Sequence, residues 1–359
     1  MRKSALILAI APLVFAIAAC GENSGQTAST PGTPGSTPAA PATRNRWASI
    51  KSRGQVICGV SGEVPGFSFV GTDGKYSGID VDICRAIAAA LFDNPDAVEF
   101  RNLNSKERFT ALQTGEVDIL SRNTTWTLSR GTTVGLEFAP VVFYDGQAIM
   151  VRKNSNIKSL ADLKNKAICV QTGTTTEQNL ADQMRKRGII YKPVVFEDVN
   201  VTFATYAEGR CDGITADRSA LVSRGTILPK PEDNVILNEV ISSEPLAPAV
   251  AKGDAKWGDA VKWVVYSLVK AEELGITSQN LGQFAASTDP DVKRFLGTEG
   301  NLGEGLGLTN DFAARIIKHV GNYAEIYDRN LGPKTKLNLA RGQNQLWSKG
   351  GLLYSPPFR

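Results

Sequence analysis

The stretch Ala167-Ile-Cys-Val-Gln-Thr-Gly-Thr-Thr-Thr-Glu-Gln178 contains the transition that decides the fold. Residues 167–170 form a short apolar run typical of a buried strand, and helical periodicity extends from residue 176 to residue 187. Thr174 and Glu177 have capping-box spacing, so the helix begins here with unpaired backbone N–H groups in its first turn. A helix N-terminus of this kind binds carboxylates readily. The stretch therefore predicts a strand, a loop and a helix with an anion site between them.

The same alternation occurs on both sides of this stretch. Before it, strands are predicted at 55–60, 98–101 and 117–120, with helices at 85–92 and 106–113. After it, strands are predicted at 193–196 and 213–216, with helices at 201–208, 254–274 and 309–328. Alternating short strands and helices favour parallel α/β sheets, and the restart of the pattern favours two lobes.

Two extended stretches, 141–146 and 241–247, would connect the lobes as hinge crossovers. In this arrangement the first lobe is discontinuous and comprises residues 47–142 and 247–359. The second lobe comprises residues 146–242 and is inserted between the two halves of the first.

The N-terminus has the composition of an export signal followed by a spacer. Met1-Arg2-Lys3 is positively charged, and the apolar run from Ala5 to Ala19 is shorter than the roughly 20 residues that span a bilayer. Ile17-Ala-Ala-Cys20 resembles the bacterial lipobox, which implies a lipidated Cys20; the alternative is cleavage nearby with Cys20 as a bystander. Residues 21–46 are rich in Gly, Ser, Thr, Pro and Ala, and this composition predicts a flexible linker. We therefore expect an extracytoplasmic protein that touches the membrane only through its lipid.

Composition argues against several functions. The formal net charge is only +4 and no basic run is present, which argues against nucleic-acid binding. The single histidine and the absence of C-x-x-C spacing argue against a metal site, and no cofactor is expected.

Cysteines after the signal predict disulfides. Export makes disulfides plausible, and the four cysteines allow three pairings. Cys58–Cys84 and Cys169–Cys211 are favoured because each pair lies within one predicted lobe. The alternative is that some of them are buried thiols.

Three polar segments follow predicted strands, at 121–130, 170–178 and 215–217. In open α/β sheets ligands bind beyond the carboxyl ends of the strands, where all three segments would lie. Arg130 offers a forked cation and Asp217 an anion. This pair complements a zwitterion, because arginine binds a carboxylate bidentately and aspartate accepts from an ammonium group.

Longer motifs carry a family resemblance over about residues 47–330. The chain resembles the bacterial polar amino-acid-binding proteins of ABC importers, which have the type II periplasmic binding protein fold, and most closely the general L-amino-acid-binding branch. The motifs that carry the resemblance are Gly78-Ile-Asp-Val-Asp-Ile-Cys-Arg85, Lys106-Glu-Arg-Phe-Thr-Ala-Leu-Gln-Thr-Gly-Glu116, Ser121 to Arg130, Cys169 to Glu177 and Gly209-Arg-Cys-Asp212.

The resemblance implies a role for each site residue. The Asn123 carbonyl and the Thr125 hydroxyl would accept from the ligand ammonium, which Asp217 would complete. Arg130 would bind the ligand carboxylate with help from the backbone of Thr125 and Thr175. Ile79 stands where many relatives have an aromatic ring, which suits broad selectivity. Further candidates for ligand contact are Ser61, Glu63, Phe67, Ile79, Trp126 and Thr172.

The resemblance implies a monomeric substrate-binding component that delivers L-amino acids to the permease of an importer with a cytoplasmic ATPase. One alternative is an exported dehydratase on the same fold acting on a cyclic amino-acid precursor, for which Glu63 is the one candidate acid or base. A second alternative is a sensory domain. Asp80 and Asp82 flank a predicted helix start and are interpreted as caps.

Overall fold

The computed structural model describes residues 45–359. The predicted export signal, Cys20 and nearly all of the predicted linker fall in residues 1–44, outside the described residues. The first part of the described chain forms helix α1 (Arg46–Arg53), strands β1 (Val56–Val60), β2 (Glu63–Val64), β3 (Ser68–Val70) and β4 (Tyr76–Ser77), helix α2 (Ile79–Phe92), strand β5 (Val98–Asn102), helix α3 (Arg108–Thr114), strand β6 (Ile119–Leu120), helix α4 (Leu128–Gly131) and strand β7 (Leu136–Phe138).

The middle of the chain builds a second sheet and its helices. It forms β8 (Phe143–Arg152), β9 (Ala167–Gln171), α5 (Thr175–Lys186), β10 (Lys192–Phe196), α6 (Val199–Ala207), β11 (Gly213–Asp217), α7 (Arg218–Gly225), β12 (Asn234–Ile236) and β13 (Ser243–Leu246). The last part forms β14 (Ala249–Ala251), α8 (Ala255–Glu273), α9 (Pro290–Leu296), α10 (Leu302–Leu306), α11 (Phe312–Val320) and α12 (Tyr323–Asn330). Short 3₁₀ helices lie at Lys153–Ser155, Leu160–Leu163, Pro231–Asp233, Leu281–Phe284, Gly342–Asn344 and Trp347–Lys349.

Two main sheets define two lobes. The first has the order β5-β1-β6-β14-β7 and the second the order β10-β9-β11-β8-β12, while β2, β3 and β4 form a small antiparallel sheet. We call the elements on the first sheet the first lobe and those on the second sheet the second lobe. The parallel prediction is correct for β5, β1 and β6 and for β10, β9 and β11. It is wrong for β14 and β8, which pair in antiparallel register with their neighbours in the two main sheets.

The crossovers between the lobes run side by side. The start of β8 pairs with β13 in antiparallel register, with Phe143 opposite Leu246 and Gly146 opposite Ser243. The chain therefore leaves the first lobe and returns to it through a two-stranded hinge. This arrangement confirms the expected two-lobed fold with two hinge crossovers.

Helix boundaries differ most from the predictions at α2 and in the region of α11 and α12. Helix α2 begins at Ile79, six residues before the predicted start, and its N-cap residue Gly78 makes no side-chain cap. The predicted helix over 309–328 is two helices, because Gly321 adopts a φ of 84° and Asn322 begins α12 with a reciprocal capping box.

Both predicted disulfides are confirmed. Cys58 on β1 is bonded to Cys84 on α2, and Cys169 on β9 is bonded to Cys211, which lies just before β11. Each bond stays within one lobe, and each lobe also has its own buried apolar clusters. No helix among residues 45–359 is both long enough and apolar enough to cross a membrane.

The segment after α12 packs on the first lobe and reaches the hinge. The Asn344 side chain accepts from the Tyr144 N–H at 2.6 Å and donates to the Tyr144 carbonyl at 3.1 Å. Arg341 forms a buried ion pair with Glu272 at 3.0 Å. Near the C-terminus, Phe358 is buried in the main apolar cluster. The C-terminal segment is therefore part of the first lobe and supports β8 where the chain leaves that lobe.

Candidate functional site

A cavity lies between the two lobes, and we call it the interlobe cavity. Both lobes contribute to its lining, which is rich in hydroxyl groups and contains three arginines and one carboxylate. Its lining residues are Ser61, Val64, Ser105, Arg108, Arg122, Asn123, Thr125, Gln171, Thr174, Thr175, Thr176, Val199, Thr202, Phe203, Thr215, Ala216, Asp217, Ala220 and Arg224. All three polar segments predicted from the sequence reach this cavity.

The segment after β6 is fixed by hydrogen bonds to the returning crossover. The Trp126 N–H donates to the Pro245 carbonyl at 2.8 Å, and the Ala247 N–H donates to the Thr124 carbonyl at 3.0 Å. Thr125 lies between these two bonds, and its side chain is buried. The backbone position of the predicted ligand contact at Thr125 is thus set by the hinge.

Arg130 lies next to Thr125 but is not itself a lining residue of the cavity. Its Nη1 donates to the Thr125 carbonyl at 2.8 Å, and its guanidinium lies 5.0 Å from the Phe109 ring centroid. Burial lowers the pKa of Arg130, while the charges of Glu244 and Asp217 oppose that shift. Arg130 and Asp217 therefore belong to one electrostatic environment although they come from different lobes.

Asp217 ends β11 and stands at the N-cap position of α7. It is buried, and burial raises its pKa well above the usual value, with further contributions from Asp145 and Glu244. The nearby Asn123 side chain acts against this shift and favours the charged carboxylate. A ligand cation at this point would favour the charged form of Asp217.

Helix α5 begins at the cavity, as the sequence predicts. Thr174 accepts from the Glu177 N–H at 3.1 Å, while the Glu177 carboxylate accepts from Gly173 and Thr172. The capping is therefore not the reciprocal box expected from the spacing. Thr175 is the first helical residue and lines the cavity, so its backbone is at an N-terminus suited to an anion.

Glu244 on β13 connects both lobes and was not identified from the sequence. Its buried carboxylate accepts from Thr125 Oγ1 at 2.6 Å, Thr175 Oγ1 at 2.9 Å and Asn179 Nδ2 at 2.7 Å. Because the Thr125 hydroxyl donates to Glu244, it can only accept from a ligand, which fits the ammonium role implied by the resemblance.

Arg108 is a second residue that sequence reasoning missed as a site residue. It is fully buried on α3, it lines the cavity, and its Nε has no hydrogen-bond partner among residues 45–359. Burial lowers its pKa well below the usual value, and the charges of Arg122 and Arg130 act in the same direction. The sequence could have indicated Arg108, because it shares one face of α3 with the apolar residues Ala111 and Leu112. An arginine on such a buried face needs a hydrogen-bond or charge partner.

Of the remaining residues predicted to contact the ligand, one lines the cavity and the others do not. Ser61 lines the cavity, and its Oγ has no partner among the described residues. Phe67 and Ile79 lie in the main apolar cluster instead of the lining, because their rings and methyl groups pack against the first-lobe core. The Glu63 carboxylate accepts from Asn200 and is not part of the lining.

Trp126 and Thr172 also lie outside the lining. Trp126 is 48% exposed and stacks on Phe138 with 5.6 Å between ring centroids. The Thr172 hydroxyl donates to the Glu177 carboxylate at 3.0 Å. Both side chains therefore have structural partners away from the cavity.

Asp80 and Asp82 are not caps, contrary to the sequence interpretation. Both lie inside the first turn of α2 and are buried. Asp80 accepts from the Asn123 N–H at 3.0 Å, and burial raises its pKa to about 6. Asp82 accepts from Arg329 and Asn330. Asp80 thus holds the segment that carries Asn123.

Contacts across the cavity show a closed arrangement. Lys106 pairs with Glu197 at 2.6 Å, and the Ser223 hydroxyl donates to the Pro65 carbonyl at 2.6 Å. Gly173, with a φ of 73°, lies so close to the other lobe that a Cβ there would be 3.2 Å from the Lys106 Cα. Among residues 45–359 no group of three or more His, Cys, Asp or Glu side chains could hold a metal ion.

Two lobes joined by two crossovers, with opposite charges on a shared polar cavity, define a solute-binding protein of the type II periplasmic class. Residues 56–281 match the family described as bacterial extracellular solute-binding proteins, family 3. The chain belongs to this family.

Several relatives are similar over most of their length. The general L-amino acid-binding periplasmic protein AapJ of Rhizobium johnstonii is 50% identical over 320 residues, which cover 89% of this chain and 94% of that protein. The glutamate/glutamine/aspartate/asparagine-binding protein BztA of Rhodobacter capsulatus is 49% identical over 311 residues, which cover 86% and 92%.

A solved structure is similar over nearly its whole chain. It is an ABC transporter periplasmic binding protein from Brucella ovis with glutathione bound, 48% identical with a TM-score of 0.85, and the match covers 87% of this chain and 98% of that one. An ancestral arginine-binding protein bound to arginine is 30% identical with a TM-score of 0.54, covering 62% and 94%.

Proposed function

We propose that this chain is the extracytoplasmic substrate-binding component of an amino-acid ABC transporter. The observation that carries the proposal is the pairing of opposite charges across one cavity, with Arg130 beside it in the first lobe and Asp217 on it in the second. An α-amino acid has a carboxylate and an ammonium group at a fixed separation, and it can engage both lobes at once.

Binding uses the polar groups already at the cavity. The ligand carboxylate pairs with Arg130 and with backbone N–H groups at Thr125 and Thr175. The ammonium group is bound by Asp217, the Thr125 hydroxyl and the Asn123 carbonyl. A ligand that bridges both lobes binds the closed form far better than the open form, so it shifts the population toward closure. A permease that docks on the closed form then distinguishes loaded from empty protein.

Selectivity is broad and favours polar side chains. The names of the Rhizobium and Rhodobacter relatives indicate L-amino acids in general and acidic amino acids with their amides, and the Brucella relative holds a γ-glutamyl tripeptide. Arg108 supports acidic side chains here, because its buried Nε needs an acceptor. Ile79 is buried in the core, so stacking of a ligand on an aromatic ring at that position is not part of the proposal.

We also propose that the chain binds without catalysing a reaction. The dehydratase alternative needs a general acid or base at the ligand, and Glu63 was its one candidate. Glu63 is not part of the cavity lining, and its carboxylate accepts a hydrogen bond from Asn200 at 2.7 Å. The relatives that match most of the chain are described as binding proteins.

The proposal extends to location and partners. The protein acts outside the cytoplasm as a monomer, is held to the membrane by a lipid on Cys20, and delivers its ligand to permease subunits that work with a cytoplasmic ATPase. The family to which the chain belongs is extracellular by description, which supports the location.

A thermal-shift screen against the common L-amino acids tests the function, since a ligand that binds only the native state raises the melting temperature. Blocked forms of each hit provide the matched controls: N-acetylation removes the ammonium group and amidation removes the carboxylate. We expect a shift with the free amino acid and none with either blocked form. A shift that survives both blocks would contradict the zwitterion proposal, and recovery of a chemically altered ligand would favour the enzyme.

A further inference from the structure

Arg224 on α7 occupies a position that the binding scheme above does not use. It is 6% exposed and lines the interlobe cavity. It also lines a neighbouring cavity between α6 and α7, whose other walls include Ala207, Leu228 and Pro229. Phe203 lines both cavities as well, with its ring centroid 5.0 Å from the Arg224 guanidinium. Arg224 and Phe203 therefore stand at the boundary between the two cavities.

The hydrogen bonds of Arg224 are incomplete. Its Nη1 donates to the Glu63 carbonyl at 2.6 Å, but its buried Nε has no partner among residues 45–359. A buried charged donor without an acceptor is costly. Two further unpartnered buried atoms, Ser61 Oγ and Arg108 Nε, belong to the same lining. The cavity thus presents more donors than the described part of the chain satisfies.

Arg224 stands apart from the charges that would bind an amino-acid head group. The charges that affect Arg108 include Arg130 and Asp217, whereas those that affect Arg224 are Glu63 and Asp198. An acceptor on Arg224 therefore belongs to the end of a ligand remote from its head group. Val64, Val199 and Phe203 supply apolar side chains to the cavity lining.

We propose that Arg224 binds a second, remote carboxylate and that the protein accepts γ-glutamyl peptides in which this carboxylate ends the peptide extension. The proposal rests on the proposed function, because the amino-acid head of the peptide is placed on Arg130 and Asp217. The guanidinium uses Nε and a terminal nitrogen as a fork for the carboxylate. Arg224 also donates to the Glu63 carbonyl on β2, so a remote carboxylate on Arg224 would lie beside a contact between α7 and β2.

The test compares two ligands that differ in one group. γ-L-Glutamylglycine carries the remote carboxylate, and γ-L-glutamylglycinamide replaces it with a neutral amide. Titration calorimetry on the wild-type protein should show tighter binding of the acid by about tenfold to a hundredfold, the range for a hydrogen bond to a charged group. Equal affinities for the two ligands would overturn the proposal without any variant.

Variants assign the preference to Arg224. Arg224→Met should remove the preference for the acid, and Arg224→Lys should keep part of it. Arg218→Met is the matched control, since Arg218 lies on the same helix but not on the lining, and it should keep the full preference. A preference unchanged in Arg224→Met would overturn the assignment; if that variant does not fold, Arg224→Lys decides by the same ratio. L-Glutamate and the strongest amino-acid hit of the thermal-shift screen are titrated in parallel. If either binds and the ligand pair shows no preference, only this inference fails, whereas a screen without any amino-acid hit and no binding of the three glutamyl ligands also defeats the proposed function.

Discussion

The carboxylate of Asp217 must be charged to bind an ammonium group, yet burial raises its pKa well above the usual value. Burial also raises the pKa of the neighbouring Asp145 to about 6. The positive charge of the ligand ammonium favours the ionised carboxylate, so binding to protein in which Asp217 is protonated should release a proton. As the pH falls, protonated Asp217 must first lose its proton, and affinity decreases. We expect affinity to fall as the pH drops through the raised pKa of Asp217.

Calorimetry in two buffers of different ionisation enthalpy, at several pH values, measures the proton release directly. Asp217→Asn removes the titrating group and the charge, so it should weaken every amino acid and abolish the release. Affinity that does not decrease as the pH is lowered, or proton uptake on binding, would contradict the assignment of Asp217 to the ammonium group.

The Arg130 guanidinium is expected to bind the ligand carboxylate. Arg130→Met should weaken the binding of every free amino acid by about 2–5 kcal/mol, because it leaves a desolvated carboxylate unpaired. The affinity of Arg130→Lys should lie between those of the wild type and Arg130→Met, since lysine keeps the positive charge but cannot bind a carboxylate bidentately. Arg187→Met, an exposed arginine at the end of α5, is the control. If Arg130→Met binds within about threefold of wild type, the carboxylate is held elsewhere, and Arg108 on the lining is the next candidate.

The two hinge strands carry two acidic residues that lie opposite each other and affect binding. Glu244 on β13 stands directly opposite Asp145 on β8. Like charges directly opposite each other destabilise a strand pair. Glu244 offsets this cost by accepting hydrogen bonds from both lobes, and its charge contributes to the raised pKa of Asp217. The Glu244 charge on the hinge therefore affects Asp217, the proposed ammonium ligand, and its hydrogen bonds also connect the two lobes.

Two substitutions of Glu244 separate these effects. Glu244→Gln removes the charge but keeps acceptor and donor groups, so the pH at which affinity is half lost should move to a lower value because the pKa of Asp217 falls. Glu244→Ala should in addition weaken all amino acids by about 1–3 kcal/mol, because it removes bonds between the lobes. Titration calorimetry across pH checks both. An unchanged pH profile in Glu244→Gln would show that the hinge charge does not reach the site.

The contacts at the hinge could not be predicted from the sequence. Most strands and helices were predicted because their apolar periodicity is local, and Arg130 and Asp217 were proposed as site residues because each lies in a polar segment that follows a predicted strand. Glu244 and Thr125 are 119 residues apart, and their contact exists only once two crossovers have paired. Asp80 was misread for the same reason: its acceptor role toward Asn123 depends on packing between α2 and the segment after β6. Local pattern carries no information on such pairs.

Each lobe has its own apolar core and its own disulfide. The hinge strands and the contacts between the lobes connect the two lobes. The bonds close loops with sequence separations of 26 and 42 residues. Loop-closure entropy assigns about 3–4 kcal/mol to each. Loss of Cys169–Cys211 should therefore destabilise the second lobe selectively and leave the first lobe with most of its stability.

This asymmetry predicts how the unfolding transition responds to ligand. Without an amino acid, the Cys169→Ser/Cys211→Ser variant should unfold in two steps in urea, with the second lobe first, whereas the wild type unfolds in one step or in two closely spaced steps. A ligand that binds only when both lobes are folded stabilises the second lobe by mass action and should merge the two steps. Circular dichroism and tryptophan fluorescence follow the transitions, because the protein's five tryptophans lie outside residues 143–246, which contain the second sheet. Transitions that stay separate at saturating ligand would mean that the ligand contacts one lobe alone, which is incompatible with binding across the cavity.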